Sequence, residues 1–460
     1  MTLAAEALND FQWTPQPQAE ALVLELVEAC LLAVPAAKNL AERLKAEAGV
    51  RFHDCIGHIA LPADAELRGR AESAGWTFDF SEDGLDVFTH PEGMFPTLVF
   101  GYPGREIAIK VESVADFAAV HQLRLDILGE PLSDVRVANV AKAPGDKTGP
   151  GWELAVVERH GSRSFALPGA APLHAIARLR HMEAFRTRKR DLATDAEGYA
   201  HASQLIDAAI AELGVSLTCD LFFAAEREYW QRRNTAAKVQ YDRQGKLGIG
   251  WANHDHHTYR CSRANFTRLI ALWEKLGFKL RERYHAGAQA GWGAQILEQP
   301  DTGVITFNDV DLAPEELFQD FAHEPIEPRP TYGTVGLWCA LHGDSFLQAG
   351  MHHLECQFDF DGLRLQLESE VGIKTMKPFT DFPYLRQAFT EGERWKVAED
   401  RLKTLVAAGH ITADQAKVFR EQGALGSHLE NLERNAGFKG FNQKGVSEII
   451  AATDARKHAR

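Results

Sequence analysis

Across residues 17–48 apolar side chains recur at three- and four-residue spacing, first in Ala21-Leu-Val-Leu-Glu-Leu-Val-Glu-Ala-Cys-Leu-Leu32 and then in Asn39-Leu-Ala-Glu-Arg-Leu-Lys45. That period is helical, and Pro35, which lacks an amide hydrogen, divides it into two helices. Beyond residue 50 the period changes. His58-Ile-Ala-Leu-Pro62 reads as a short strand, 65–74 as a helix closed by Gly75, and 77–90 as strands about an Asp83-Gly84 turn, with further strands at 97–100 and 107–112. The order is βαβββ. A polar connection over 144–151 then leads to an expected hairpin at 152–167 around Gly161.

From 173 to 243 the pattern is helical and charged, and the basic run from Arg178 to Arg190 reads as one solvated helix face. After 250 the earlier order returns. A strand carries Trp251-Ala-Asn-His-Asp-His-His-Thr-Tyr-Arg260, an amphipathic helix begins at Phe266 and stops at Gly277, and strands follow at Gln295-Ile-Leu-Glu298 and Gly303-Val-Ile-Thr-Phe307. Residues 333–341 read as a buried strand, 354–359 alternate weakly, and the chain from 389 onward reads as mostly helical.

The fold class is therefore α+β, with paired βαβββ modules forming a curled sheet around a metal site and added helices at both ends and between the modules. The expected segments are N-terminal helices at 1–50, a first module at 51–170, a helical connection at 171–249, a second module at 250–375 and a C-terminal helical region at 376–460. Two half-open sheets facing one another would place histidines from both first strands on a common inner surface.

Composition narrows the function. A chain of 460 residues exceeds the size at which one core keeps growing. The formal charge of −14 repels phosphate backbones, so no nucleic-acid partner is expected. There is no apolar run long enough to span a membrane, and Glu6 and Asp10 stand where a signal peptide would be basic, so a cytoplasmic protein without a membrane partner is expected. The six cysteines form no CxxC pair and read as reduced core thiols. Nothing in the sequence sets the oligomeric state.

The chemistry concentrates at 254–257, three imidazoles and Asp255 in four residues, which are costly to bury without partners. Strand alternation puts His254 and His256 on one face and His257 on the other. His256 is the preferred metal ligand, with His254 as substitute and Asp255 as the group that orients the ring. Glu298 supplies a carboxylate from the returning strand, and His58 an imidazole from the first module, with His53 competing for that role. Met351-His-His-Leu-Glu355 is a rival source, in which His352, His353 and Glu355 ligate in place of Glu298. The plainer readings are a satisfied polar His58 at a strand end and a Glu298 paired with an arginine such as Arg260.

Two neutral imidazoles and one carboxylate suit Fe(II), leaving adjacent positions for substrate oxygens and O2, with Zn, Mn or Ni as alternatives. An acid substrate needs a cation, and Arg260, Arg263 and Arg386 are the candidates for a bidentate carboxylate clamp. Tyr259, Trp292 and Trp338 are candidate pocket walls, or core.

The paired βαβββ pattern with inward His, His and Glu resembles the vicinal-oxygen-chelate superfamily (the glyoxalase/dioxygenase-like proteins). Within it the chain is remotely similar to the 2-oxoadipate dioxygenase/decarboxylase group of non-haem iron enzymes. That group carries a first-strand His followed by small and apolar residues, a His-Leu-Thr-Pro-Arg segment, and a Glu-Gln-Arg-Gly segment before an apolar strand. The matching positions are His58 in His-Ile-Ala-Leu-Pro62, His256 in His256-His-Thr-Tyr-Arg260, and Glu298 in Glu298-Gln-Pro300 ahead of Gly303-Val-Ile. Two departures stand out. The group has an arginine four residues after its first histidine, where this chain has Pro62, and the spacing from His256 to Glu298 is short. The resemblance implies a mononuclear Fe(II)-dependent oxygenase acting on a small 2-oxo or hydroxy acid, with decarboxylation, whose partners are a small-molecule carboxylate and O2. The alternatives are a metal-dependent isomerase, lyase or hydrolase on the same fold, and a non-catalytic small-molecule binding protein.

Overall fold

The computed structural model describes residues 13–145, 150–167, 172–286, 290–442 and 453–459. Two helices open it, α1 (Pro17–Ala33) and α2 (Pro35–Ala48), divided at Pro35 as the sequence requires. The first module follows as β1 (Ile56–Leu61), α3 (Ala65–Ser73), β2 (Thr77–Glu82), β3 (Leu85–Thr89) and β4 (Thr97–Phe100). A second unit, β5 (Arg105–Lys110), α4 (Val114–Val120), β6 (Val135–Lys142) and β7 (Trp152–Arg159), joins the same sheet in the order β2-β3-β4-β1-β5-β7-β6.

Four helices come next, α5 (Pro172–Arg186), α6 (Asp195–Leu213), α7 (Val215–Gln231) and α8 (Thr235–Gly245). The third module is β8 (His254–Arg260), α9 (Phe266–Lys275), β9 (Lys279–His285), β10 (Trp292–Glu298) and β11 (Ile305–Asp311). Helix α9 ends where expected: Gly277 has φ +85°, and a Cβ there would lie 2.8 Å from Val215 Cγ1. After α10 (Thr334–His342), the fourth module runs through β12 (His353–Gln357), α11 (Phe360–Val371), β13 (Thr380–Phe382) and β14 (Leu385–Phe389). A short pair, β15 (Arg394–Trp395) and β16 (Ala424–Leu425), brackets α12 (Glu399–Ala407) and α13 (Ala413–Gln422) before β17 (His428–Arg434) closes the module. The second sheet has the order β13-β14-β17-β12-β8-β11-β10-β9.

In every module the first strand lies parallel to the last, as β1 to β4, β5 to β7, β8 to β11 and β12 to β17. The two first strands within each sheet meet antiparallel, β1 against β5 and β8 against β12. The fold is thus α+β, built of paired modules with helices added around them, and the pairing takes place inside each sheet. This differs from a site shared between 51–170 and 250–375, because each half of the chain supplies both partners of its own seam.

Four local readings change. Residues 333–341 form α10 rather than a strand, since a short continuous apolar run has no period that separates strand from buried helix. Of the stretch expected to be helical beyond 376, α12 and α13 are helices, but β13, β14 and β17 belong to the second sheet. The hairpin partner of β7 is β6, so the reversal precedes Trp152 and Gly161 lies past the end of β7. Finally, the basic run is not all solvated. Arg188 and Arg190 are buried on Glu226, with Arg188 3.0 Å from a carboxylate oxygen.

All six cysteines are buried and unpaired. Among the described residues no helix is long and apolar enough to cross a membrane.

Candidate metal centre

At the seam of the second sheet, residue pairing places side chains from several strands in rows. One row runs Glu430 (β17), Glu355 (β12), His256 (β8), Ile305 (β11) and Glu298 (β10). Two residues along, the next row is His428, His353, Thr258 and Phe307. Arg260 and Asp309 form a third. Partners in register share a face, so the three rows line one surface.

The His256 ring sits between two carboxylates. Asp255 Oδ1 lies 2.7 Å from its Nδ1 and Glu355 Oε1 2.9 Å from its Nε2. Burial alone would discharge the ring, but these carboxylates overcome it and hold its pKa above the ordinary histidine value. Asp255 reaches this position through a bulge. Glu355 pairs with His256 and Cys356 with His254, so one step on β12 spans two on β8 and Asp255 is the extra residue. The bulge also overturns the expected alternation. His254 turns away, its Nδ1 2.8 Å from the Trp251 carbonyl and its ring 5.4 Å from that of His257. His257 in turn accepts from Arg227 at 3.2 Å on the opposite side of the strand.

Glu355 is the meeting point. Its Oε1 accepts from Thr258 at 2.7 Å and lies 2.6 Å from His353 Nε2 as well as 2.9 Å from His256 Nε2. Its Oε2 is buried with no hydrogen-bond partner. Glu430 Oε2 stands 3.6 Å from His353 Nε2, and Gln387 donates to Glu430 Oε1 at 2.8 Å. Burial would raise the Glu355 carboxyl, yet the His256 and His353 rings bring it down to about 2. Burial and the Glu355 charge push the Glu430 carboxyl well above the usual carboxylate range.

This donor set fits a divalent cation. Ligands about 2.1 Å from a metal at right angles are about 3 Å apart. The spacings around Glu355 Oε1 and His353 Nε2, 2.6–3.6 Å, bracket that value. His353, Glu355 and Glu430 offer ligand atoms within 4.8 Å of one another, and His256 faces the same carboxylate. A second grouping, His352, His353 and His428, is equally close. It stands beside Arg260, whose charge joins burial in holding the His352 and His428 rings well below the ordinary histidine value.

A cavity of about 60 Å³ opens over the rows. His256, His353, Glu355 and Glu430 line one part and Arg260 and Asp309 another, with walls that include Tyr284, Trp292, Phe307, Phe389 and Phe441. Arg260 is buried over the Trp338 ring, and its Nε lies 3.6 Å from Asp309, beyond hydrogen-bond reach.

The structure thus brings together His256, Glu355 and Arg260 of the residues singled out from the sequence, with His353 from the rival segment and Trp292 in the wall. The others lie elsewhere. His58 belongs to the first sheet and contacts Glu106 at 3.2 Å, and His53 is 3.6 Å from Asp54. Glu298 is in the His256 row but two strands away, about 10 Å at the backbone. There it meets Lys439 at 3.0 Å and Arg281 at 3.5 Å. Arg263 is held by Glu316 at 2.6 Å, and Arg386 by Asp361 at 2.8 Å and Asp381 at 3.1 Å. Tyr259 and Trp338 are core residues, Trp338 lying beneath Arg260.

Glu430 was not singled out from the sequence, although a signal exists. His353-Leu-Glu355 recurs as His428-Leu-Glu430, and the two tripeptides pair residue for residue.

No protein-family model matches the chain, and no curated protein matches it. Several solved structures are similar to it. A glyoxalase superfamily protein from Ralstonia eutropha is 15% identical, with 60% of this chain and 99% of that one covered and a TM-score of 0.33. Methylmalonyl-CoA epimerase from Mycobacterium tuberculosis is 14% identical over 40% of this chain and 88% of that one, with a TM-score of 0.23. A mutant of 4-hydroxymandelate synthase from Streptomyces coelicolor is 12% identical over 88% of this chain and 98% of that one, with a TM-score of 0.24. Two of the modules of this chain, β1–β4 and β8–β11, have the βαβββ order expected from the sequence.

Proposed function

We propose that the chain is a metal-dependent enzyme acting on a small carboxylic acid. The observation that carries this reading is the convergence of two imidazole nitrogens on one oxygen of Glu355, whose other oxygen is buried without a partner. Unpartnered charge is costly to bury, and a divalent cation held by His256, His353, Glu355 and Glu430 would offset that cost. Arg260 is the cation placed to hold a substrate carboxylate, because the Asp309 carboxylate beside it is too distant for a hydrogen bond.

The finer reading is a mononuclear Fe(II) oxygenase of a 2-oxo or hydroxy acid, with Zn, Mn or Ni as other occupants. When bound, the metal would supply Lewis acidity and, if iron, the reaction with O2. The chain's own residues orient and enclose: Asp255 fixes the His256 ring, Arg260 sets the acid, and the aromatic walls exclude water. Elemental analysis of protein purified without chelator is expected to give about one divalent metal per chain, lost in Glu355→Ala. O2 consumption over a set of 2-oxo acids then tests the oxygenase. Metal content that ignores the substitution would sink the metal reading, and anaerobic turnover would favour isomerase, lyase or hydrolase chemistry at the same centre.

A further inference from the structure

Asp309 has no part in the ligand set, yet it lines the same cavity. It is 3% exposed, it pairs in register with Arg260, and its Oδ1 is buried with no hydrogen-bond partner. Its other oxygen has only Arg260, at 3.6 Å. The titratable groups that face it are Arg260 and His256 from β8, Glu355 from β12 and Tyr284 from β9. A carboxyl group kept for stability would be closed by hydrogen bonds, as Asp311 is by the amides of Gly333, Val335 and Gly336. Asp309 lines the cavity with neither carboxylate oxygen closed by a hydrogen bond of that kind.

We propose that Asp309 is the proton-transfer residue of this cavity, exchanging the C3 hydrogen of a 2-oxo acid whose carboxylate is held by Arg260. The inference rests on the proposed metal-dependent function and deepens it. In the step the C3–H bond breaks and its proton passes to the Asp309 carboxylate. The electron pair forms the C2–C3 double bond while the carbonyl pair moves onto the C2 oxygen, on the His256–Glu355 side. Reversal returns a proton, so the step is redox-neutral and needs no co-reactant. Its chemical requirement is a carboxyl group that gains and loses a proton near neutrality. Burial and the nearby Glu355 charge, against the pull of Arg260, raise Asp309 to about 7, which suits that exchange.

The test uses the full-length, metal-loaded protein with 2-oxobutyrate as probe in D2O under strict anaerobiosis, with deuterium at C3 followed by proton NMR. The wild type is expected to accelerate exchange. Asp309→Asn is expected to lose about 100-fold or more of that rate, while keeping its metal and its affinity for the probe. Asp309→Glu, which restores a carboxyl group, is expected to recover part of the rate. Exchange by Asp309→Asn at the wild-type rate overturns the proposal, as does a wild type that binds metal and probe yet leaves the C3 hydrogens in place. Absence of metal from the wild type counts against the metal reading alone, and Asp309-dependent exchange would then still support the inference.

Discussion

Arg434 grips Asp255 with two parallel bonds, Nε to Oδ2 at 2.8 Å and Nη2 to Oδ1 at 3.0 Å, and both side chains are all but closed to solvent. Burial would raise the Asp255 carboxyl, but Arg434 and His256 hold it far below the usual carboxylate range. The remaining guanidinium nitrogen, Nη1, donates to the carbonyls of Phe438 and Gly440. That turn delivers Phe441, whose ring stands 4.8 Å from the His256 ring. One arginine therefore fixes both the orientation of a candidate ligand and a wall of its cavity.

Arg434→Met leaves a buried carboxylate unpaired, so urea unfolding is expected to show a loss of about 3–5 kcal/mol. Calorimetric metal titration of the folded variant is expected to show about 10–100-fold weaker affinity, as for loss of a group that orients a ligand. Arg434→Lys keeps the charge but not the fork, and should fall between. An unchanged metal affinity in Arg434→Met would separate the fold from the centre.

Metal binding should expel a proton from the carboxylate pair. Burial and the Glu355 charge raise the Glu430 carboxyl well above the usual carboxylate range, and ligation favours its ionised form. Titration in buffers of different ionisation enthalpy at pH 7 should reveal this release. In Glu430→Gln the contribution from this carboxyl should vanish and affinity should fall. Release that is the same in both proteins would place the proton elsewhere, with His256 the first suspect because its ring is also raised.

Glu298 and His58 provide the converse experiment. Glu298 is part-exposed among Lys439 and Arg281, and His58 faces Glu106 in the other sheet. Glu298→Gln and His58→Gln are expected to leave metal content unchanged, and Glu298→Gln to cost at most about 1 kcal/mol. Loss of metal from either would revive the ligand set suggested by the resemblance.

How much of the fold and the centre can be read from the sequence depends on how far each rule reaches. Helical period and Pro35 place α1 and α2, and the imidazole cluster marks β8, because those signals are local. Glu298 misleads because the sequence gives its row but not its strand, and two intervening strand spacings decide whether a carboxylate can reach His256. Alternation fails at His254 because a bulge is a property of two paired strands. Glu430 lies in a charged stretch, His428-Leu-Glu-Asn-Leu-Glu-Arg434, whose membership of the sheet depends on a parallel partner 75 residues earlier. The repeated His-Leu-Glu was legible, but its meaning needed the register.

Asp309 should cost stability where it is charged. Its folded pKa, about 7, lies above the ordinary aspartate value, so its contribution is most favourable below about pH 4 and is lost progressively as pH rises from there through 7. A difference of about three units corresponds to about 4 kcal/mol at most. Metal-free Asp309→Asn, which cannot ionise, is therefore expected to gain on the wild type in urea midpoint as pH rises from 5 to 8, with most of the gain complete by pH 7. A core carboxyl that destabilises the chain at working pH is hard to explain by packing. The same variant that gains stability is the one expected to lose proton exchange, and a gain that was flat with pH would show that Asp309 does not titrate in this range.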